Sequence, residues 1–124
     1  AFVAKRDGGS LTVWGDGTEQ RDLLYISDLI NFVNLAVKKQ NILFCLLNVG
    51  YGSSISISDL IKKIISISGK KIDIHYDISQ PTIPSRVALD CGKSKRLFGW
   101  EPKVSLDEGI LKTMDWHRSN IPIP

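Results

Sequence analysis

The stretch from Gly15 to Leu29 contains the first residue whose chemistry suggests anion binding. Arg21 follows a Gly/Asp turn and precedes an apolar segment, so its planar guanidinium group can point at a ligand. That group matches phosphate or carboxylate oxygens in a bidentate geometry. The other interpretation is a surface salt bridge from Arg21 to Asp22 or Asp28, and both interpretations remain open at this point.

The remaining reactive side chains do not form a catalytic or metal-binding pattern. Cys45 and Cys91 lack Cys-x-x-Cys spacing, so we expect buried structural thiols in a reducing compartment. We expect neither His75 nor His117 to belong to a metal site, and a protonated His117 near a helix C-terminus interacts favourably with the helix dipole. A Ser-His-Asp hydrolase is not expected, because no Gly-x-Ser-x-Gly motif is present.

The composition describes an ordinary globular chain. Its 124 residues fit one domain, and the fractions of 43% hydrophobic and 23% charged residues argue against disorder. The net charge of +3 would attract an anionic ligand but is too small for a nucleic-acid binder. The longest apolar run, Ile42 to Leu47, cannot cross a bilayer, and residues 1–10 carry charges in place of an apolar signal segment. We therefore expect a cytoplasmic location and no membrane partner.

The helices and strands around Arg21 are predicted from the spacing of apolar residues and from residues that cap helices. Residues 1–10 read as the end of a preceding helix, and the segments Leu11–Trp14 and Leu23–Ile26 as short strands. Ser27 is predicted to cap a helix that ends at Lys38-Lys39. This helix is apolar on more than one face, so it should be buried on two sides, in part against a neighbour outside this chain.

The second half of the chain is predicted to alternate strands and helices. The run Phe44–Val49 indicates a strand covered on both faces, as in a parallel sheet. After it we predict a loop at Gly50–Ser54, a helix capped by Ser58 and ended by Gly69, a strand at Ile72–Tyr76 and an extended loop at Ile78–Arg86. A short helix is predicted at Lys93–Phe98, and Trp100 is expected in the core. The last helix is opened by Ser105 and Glu108, places Leu106, Ile110, Leu111 and Met114 on one face, and is followed by a flexible tail at 119–124.

Four landmarks resemble, in order and spacing, the extended short-chain dehydrogenase/reductase family. Members are NAD-dependent nucleotide-sugar epimerases, dehydratases and reductases, and the GDP-L-fucose synthase and dTDP-glucose 4,6-dehydratase branches are the most similar. The landmarks are Gly15 to Leu29, Asn48 to Gly52 with Ser56 to Leu60, Arg86 to Asp90, and Lys93 to Pro102 with Ser105 to Ile110.

The resemblance covers the C-terminal, substrate-binding portion of such enzymes. It implies a small mixed α/β domain, residues 1–124, without the Rossmann cofactor domain that binds NAD or NADP in the intact enzyme. By the same resemblance Arg21 holds the nucleotide diphosphate of a nucleotide sugar and Arg86 helps to clamp it, although a structural role for Arg86 is equally open. By its position Trp14 is a candidate contact of the sugar or base, but core packing is the role that we favour for it. Gln80 is the fourth candidate, at a position where many family members carry Arg-Pro-Gly-Asp and this chain has Gln80-Pro81-Thr82-Ile83.

Two motifs of the family's chemistry are missing from the sequence. There is no Gly-x-x-Gly-x-x-Gly turn for the dinucleotide, and none of the tyrosines is followed four residues later by lysine. Gly50-Tyr51-Gly52 is a weak phosphate-loop signal and is better explained as a turn. We therefore expect the isolated chain to bind substrate without catalysis. The alternative is a stand-alone binding or assembly module that docks through the helix Asp28 to Lys39, and a homodimer is one possible state.

Overall fold

The computed structural model describes residues 8–121, which form a small mixed α/β structure, as predicted. The strands in this part of the chain are β1 (Ser10–Trp14), β2 (Gln20–Asp22), β3 (Ser54–Ser56) and β4 (Asp73–Asp77). The helices are α1 (Ile26–Lys39), α2 (Ile57–Ser68), α3 (Gly92–Phe98) and α4 (Leu106–Asn120). Most of the helix end predicted for 1–10, and residues 122–124 of the predicted tail, lie outside the described residues, whereas 119–120 still belong to α4.

The sequence predicted one domain, and the chain divides into two compact units. Within the described residues, the first unit comprises 8–19, 56–85 and 107–121, and the second comprises 20–55 and 86–106. Each unit is therefore assembled from segments that are distant in sequence. No helix in residues 8–121 combines the length and the apolar character that a bilayer span requires.

The first unit contains a parallel pair of strands. β1 and β4 pair in register from Ser10 with Asp73 to Trp14 with Asp77. Val13 is the buried residue of β1. The strand pair was predicted nearly within its observed bounds, because both segments carry the β-branched and aromatic residues that favour strands.

Helix α2 begins two residues earlier than predicted. Its cap is Ser56, whose hydroxyl accepts the Asp59 N–H at 3.0 Å and donates to the Asp59 carboxylate at 2.7 Å. The Ser58 hydroxyl, predicted as the cap, instead shares a hydrogen bond of 2.6 Å with the Tyr76 hydroxyl. Gly69 ends the helix in the left-handed conformation with φ 68°, as predicted.

The last helix, α4, begins directly after Ser105, as predicted. Ile110 and Met114 are buried on its inner face, but Leu111, expected on the same face, is exposed. Leu111 follows Ile110 by one residue, which is about 100° around a helix, so both cannot occupy the centre of one narrow face.

The second unit is organised around three aromatic rings. Phe32 of α1 makes edge-to-face contacts with Phe98 at 6.0 Å and with Trp100 at 5.2 Å between ring centroids. All three side chains are buried, so the prediction that Trp100 is a core residue is confirmed. Half-buried apolar side chains pack around them, namely Leu24, Leu35, Ala36, Leu47 and Val49.

The start of α1 differs from the prediction. The residue before the helix is Tyr25, which makes no side-chain capping bond, so the prediction of a Ser27 cap is wrong. Asp28, only 2% exposed, accepts the backbone N–H groups of Lys103 and Val104, each at 2.9 Å from one carboxylate oxygen. This carboxylate therefore ties α1 to the segment that follows Trp100.

The strand predicted at Leu23–Ile26 is also wrong. The strand lies three residues earlier, at β2, where β3 is its partner, and Ile26 already begins α1. A strand forms only where a second backbone offers its N–H and C=O groups, and that partner is a tertiary feature.

Residues Phe44–Val49 form no strand in the described part of the chain, so this prediction is wrong as well. Their carbonyl groups bind side chains of α3: Leu46 O accepts the Lys93 ammonium at 3.0 Å, and Asn48 O accepts the Ser94 hydroxyl at 2.6 Å. Exposure alternates along the segment, and Phe44 is 78% exposed. The apolar pattern therefore marks one face that packs on the aromatic core and another that does not.

Helix α1 has a second apolar face, which we call the apolar stripe, formed by Ile26, Ile30, Val33 and Val37. The prediction that α1 is apolar on more than one face is confirmed. Within the described residues every member of the apolar stripe is exposed, Val37 to 78%, so the burial of this face against a neighbour outside this chain stays a prediction. Burial depends on the residues that pack on a face, which a local pattern cannot supply.

Candidate functional site

Arg21 lies on β2 and is half-buried. One guanidinium nitrogen, Nη1, donates to the backbone carbonyl of Gln20 at 2.9 Å. The same carbonyl accepts the Val87 N–H at 3.2 Å, and Gln20 forms a parallel bridge with Arg86. Gln20 is therefore the point where the backbones that carry the two arginines meet.

Arg86 is exposed and belongs to the same unit as Arg21. Because the bridge joins Gln20 to Arg86, the two predicted phosphate-binding residues are carried by adjacent backbone segments of one unit. The two residues together provide two positive charges and ten side-chain N–H donors on adjacent backbone segments. Such an arrangement is suited to a diphosphate.

Asp22 is a residue whose role sequence reasoning missed, since it appeared only as a salt-bridge partner of Arg21. Its carboxylate oxygens accept three backbone N–H groups, from Tyr51 at 2.7 Å, Gly52 at 3.0 Å and Leu89 at 3.1 Å. The carboxylate thus joins β2 to two other segments of the second unit. The signal that could have found it is the acidic residue directly after Arg21 together with a Gly-x-Gly turn that needs an anion.

The Gly50-Tyr51-Gly52 turn is shaped by that carboxylate. Successive backbone N–H groups that converge form a nest for an anion, and here those of Tyr51 and Gly52 point at Asp22. A Cβ atom on Gly50 would lie 2.9 Å from an Asp22 oxygen and 3.0 Å from Leu89 Cδ1, so a larger residue would displace the carboxylate from its present position. The nest is occupied by a protein carboxylate, so the turn does not fit a dinucleotide phosphate, and its interpretation as a structural turn is the one that the contacts favour.

The other two predicted site residues, Trp14 and Gln80, lie in the first unit. Trp14 ends β1 and is 66% exposed, so core packing, the role favoured from the sequence, is wrong for the described residues. The Gln80 amide donates to the Asp77 carboxylate at 3.0 Å. Hydrogen bonds from the Ser79 hydroxyl and from Gln80 hold the pKa of Asp77 below its ordinary value. Gln80 therefore organises the end of β4 by a contact within the protein.

The cysteines are reduced and half-buried. The Cys91 sulfur accepts the Gly50 N–H at 3.2 Å. Burial raises the pKa of the Cys91 thiol, the hydrogen bond from Gly50 opposes this, and the carboxylates of Asp22 and Asp90 raise it further. Cys91 is therefore a poor nucleophile that packs behind the Gly-x-Gly turn. Across residues 8–121 no group of three or more His, Cys, Asp or Glu side chains is arranged to hold a metal ion.

Comparison with known proteins identifies the family. The GDP-mannose 4,6 dehydratase family matches residues 2–113. The chain belongs to this family. The resemblance to nucleotide-sugar epimerases and dehydratases is thereby confirmed.

Individual relatives of this family member are moderately similar to it. A GDP-L-fucose synthase of Sinorhizobium fredii is 36% identical over 118 residues, which are 94% of this chain and 36% of that protein. The UDP-glucose 4-epimerase of Thermotoga maritima, solved with UDP-glucose, is 31% identical with a TM-score of 0.79 and matches 91% of this chain and 36% of that one. The UDP-glucuronic acid 4-epimerase of Bacillus cereus, solved with UDP-glucuronic acid and NAD, is 35% identical with a TM-score of 0.76 and matches 89% of this chain and 35% of that one.

This member of the GDP-mannose 4,6 dehydratase family spans about a third of the length of the relatives that it matches. Solved structures that share the fold of this chain contain NAD or NADPH, together with a nucleotide sugar in some of them. Those ligands are properties of the intact relatives.

Proposed function

We propose that this chain is the nucleotide-diphosphate-sugar-binding part of an NAD(P)-dependent epimerase, dehydratase or reductase. The observation that carries the proposal is the parallel bridge between Gln20 and Arg86, which places Arg21 and Arg86 on adjacent backbone segments. The two guanidinium groups bind the diphosphate. The backbone bridge sets the spacing between the two residues that carry these groups.

The electrostatics support a diphosphate over a neutral ligand. A guanidinium group is a cation, and charge-assisted hydrogen bonds to phosphate are about twice as strong as neutral ones. Gln20 O holds the Arg21 Nη1 at 2.9 Å, which leaves the fork partly pre-oriented before a ligand arrives. Pre-orientation lowers the entropy lost on binding. Trp14 and Gln80, in the first unit, stay predictions as substrate contacts.

In the intact enzyme a Rossmann domain would hold NAD or NADP and provide the Tyr-x-x-x-Lys pair, neither of which this chain can replace. Two features support docking of that domain on the second unit. One is the apolar stripe on α1, and the other is the exposed face of Phe44–Val49, where Phe44 and Leu46 project. Exposed apolar side chains that share one face of a helix can form part of an interface. Alone, the chain binds nucleotide sugars without turnover.

The test is calorimetric titration of the chain with UDP-glucose and with GDP-mannose. Arg21→Ala and Arg86→Ala are each expected to weaken the better ligand about tenfold or more, because each removes a charge-assisted contact. Arg21→Lys should recover only part of the loss, since an ammonium group lacks the planar fork. Arg118→Ala is the control. It removes the same charge, but Arg118 lies on α4, where it pairs with Asp115 at 3.0 Å.

Two results would contradict the proposal. Equal affinities of the Arg21→Ala and Arg118→Ala variants would mean that Arg21 does not contact the diphosphate. Turnover of a nucleotide sugar by the isolated chain with NAD or NADP would show that this chain itself contains the catalytic residues.

The second candidate function is a stand-alone binding or assembly module, and the exposed apolar stripe of α1 favours it. Such a module would associate through this stripe, and Arg21 could be replaced without consequence. Light scattering coupled to size exclusion distinguishes the two: association that Ile30→Lys abolishes, together with nucleotide-sugar affinity too weak to measure, would favour the module.

A further inference from the structure

We propose that Asp22 is a positioning residue of the diphosphate clamp, which aligns the segments carrying Arg21 and Arg86 without itself contacting the ligand. This inference rests on the proposed function. It is carried by the three backbone N–H groups that the carboxylate accepts and by the place of these groups in the chain.

The contacts of Asp22 reach both arginine-bearing segments. Asp22 is the residue after Arg21 on β2, and its Oδ2 accepts the Leu89 N–H at 3.1 Å, three residues beyond Arg86. Gln20 O accepts the Val87 N–H at 3.2 Å. The second segment is therefore held at two points, one on each side of Arg21, which fixes its register along β2.

The Gly-x-Gly turn completes the arrangement from the other side. Tyr51 and Gly52 donate to the two oxygens of Asp22, so the carboxylate is held by three donors and cannot rotate toward Arg21 without losing them. Hydrogen bonds to a charged acceptor are the stronger class, and a buried Gly50 backs the carboxylate. A rigid anchor of this kind is what a binding group needs if its geometry is to be reproducible.

Electrostatics and positioning make opposite predictions for the loss of Asp22. Removing a negative charge next to Arg21 raises the local positive potential, which by Coulomb's law alone would tighten the binding of a diphosphate. If Asp22 positions the clamp, its loss weakens binding in spite of that gain. The sign of the change therefore decides between the two effects.

The experiment measures UDP affinity by calorimetry for Asp22→Ala and Asp22→Asn. We expect about three- to tenfold weaker binding for Asp22→Ala and a smaller loss for Asp22→Asn, whose amide oxygen retains one acceptor. The control is Asp90→Ala, because Asp90 accepts the Gly92 N–H at 2.8 Å within its own turn and should leave UDP affinity unchanged. In the Arg21→Ala background the Asp22→Ala change should lose most of its effect, a coupling that a merely structural role would not produce.

The outcomes separate this inference from the proposed function. Unchanged or tighter UDP binding by Asp22→Ala, while Arg21→Ala weakens it, overturns the positioning role alone. If Arg21→Ala has no effect, the proposed function itself fails. Should Asp22→Ala not fold, amide hydrogen exchange of the unaltered chain decides: UDP is expected to slow exchange at Tyr51, Gly52 and Leu89 together, and unaltered exchange at these amides with UDP bound overturns the inference.

Discussion

The buried carboxylate of Asp28 predicts a large stability effect of a single polar substitution in the second unit. At 2% exposure it accepts two backbone N–H groups, from Lys103 and Val104, at 2.9 Å each. Hydrogen bonds to a charged group contribute about 1.5–3 kcal/mol each, and donors left without an acceptor away from water add a desolvation cost. Asp28→Ala should therefore lower the free energy of unfolding by roughly 3–5 kcal/mol.

Asp28→Asn should cost less, about 1–2 kcal/mol, because the amide oxygen can still accept both N–H groups but without the charge. The assay is urea unfolding monitored by tryptophan fluorescence, since Trp100 belongs to the same unit. With an m-value of about 1–3 kcal/mol/M, the midpoint for Asp28→Ala should fall by on the order of 2 M. Asp115→Ala is the matched control, because that carboxylate is exposed and its ion pair with Arg118 contributes about 0–1 kcal/mol.

Two results would refute this reasoning. If the midpoints of Asp28→Ala and Asp115→Ala were equal, the N–H groups of Lys103 and Val104 would bind water as well as they bind the Asp28 carboxylate. A loss for Asp28→Asn as large as that for Asp28→Ala would mean that the charge, and not the acceptor geometry, is what the fold requires.

Two pH-dependent effects are also expected. Hydrogen bonds from Ser79 and Gln80 lower the pKa of Asp77, so its ionised form stabilises the fold above the ordinary carboxyl pKa, and this contribution is lost as the pH falls through the lowered value. Asp77→Asn should therefore reduce the fall of the melting temperature at acid pH. An unchanged fall would contradict this prediction. Burial raises the pKa of Cys91, so its thiol form stabilises the fold and this contribution is lost as the pH rises through the raised value. Alkylation of Cys91 by iodoacetamide at pH 8 should be slower in the folded chain than after unfolding in urea, and equal rates would refute the raised pKa.

The helices were predicted well because their signals are local. Gly69 and Gly99 end α2 and α3 in the left-handed conformation, and both stand directly after the last residue of a predicted helix. The parallel pair β1 and β4 was also found, although its pairing was not, since a strand's composition does not name its partner. The arginines were identified from their residue type and motif, and their shared backbone bridge became visible only in the fold.

The errors concern contacts between segments that are far apart in sequence. Asp22 and Leu89 are 67 positions apart, and Asp28 and Lys103 are 75 apart, so no local window contains both members of either pair. The same limit explains why Phe44–Val49 looked like a buried strand: its carbonyl groups bind α3 side chains, a partner 46 or 47 positions away.

The sequence by itself determined the presence of the helices, the C-terminal ends of α1, α2 and α3, the aromatic core residue Trp100, and the family through its ordered landmarks, because these depend on residue type and short spacing. Only the tertiary structure decided where β2 lies, which carboxylates hold the backbone, and that the second apolar face of α1 is exposed. The physical reason is that strand pairing, carboxylate anchoring and burial each require a second group, and the chain brings that group into place only by folding.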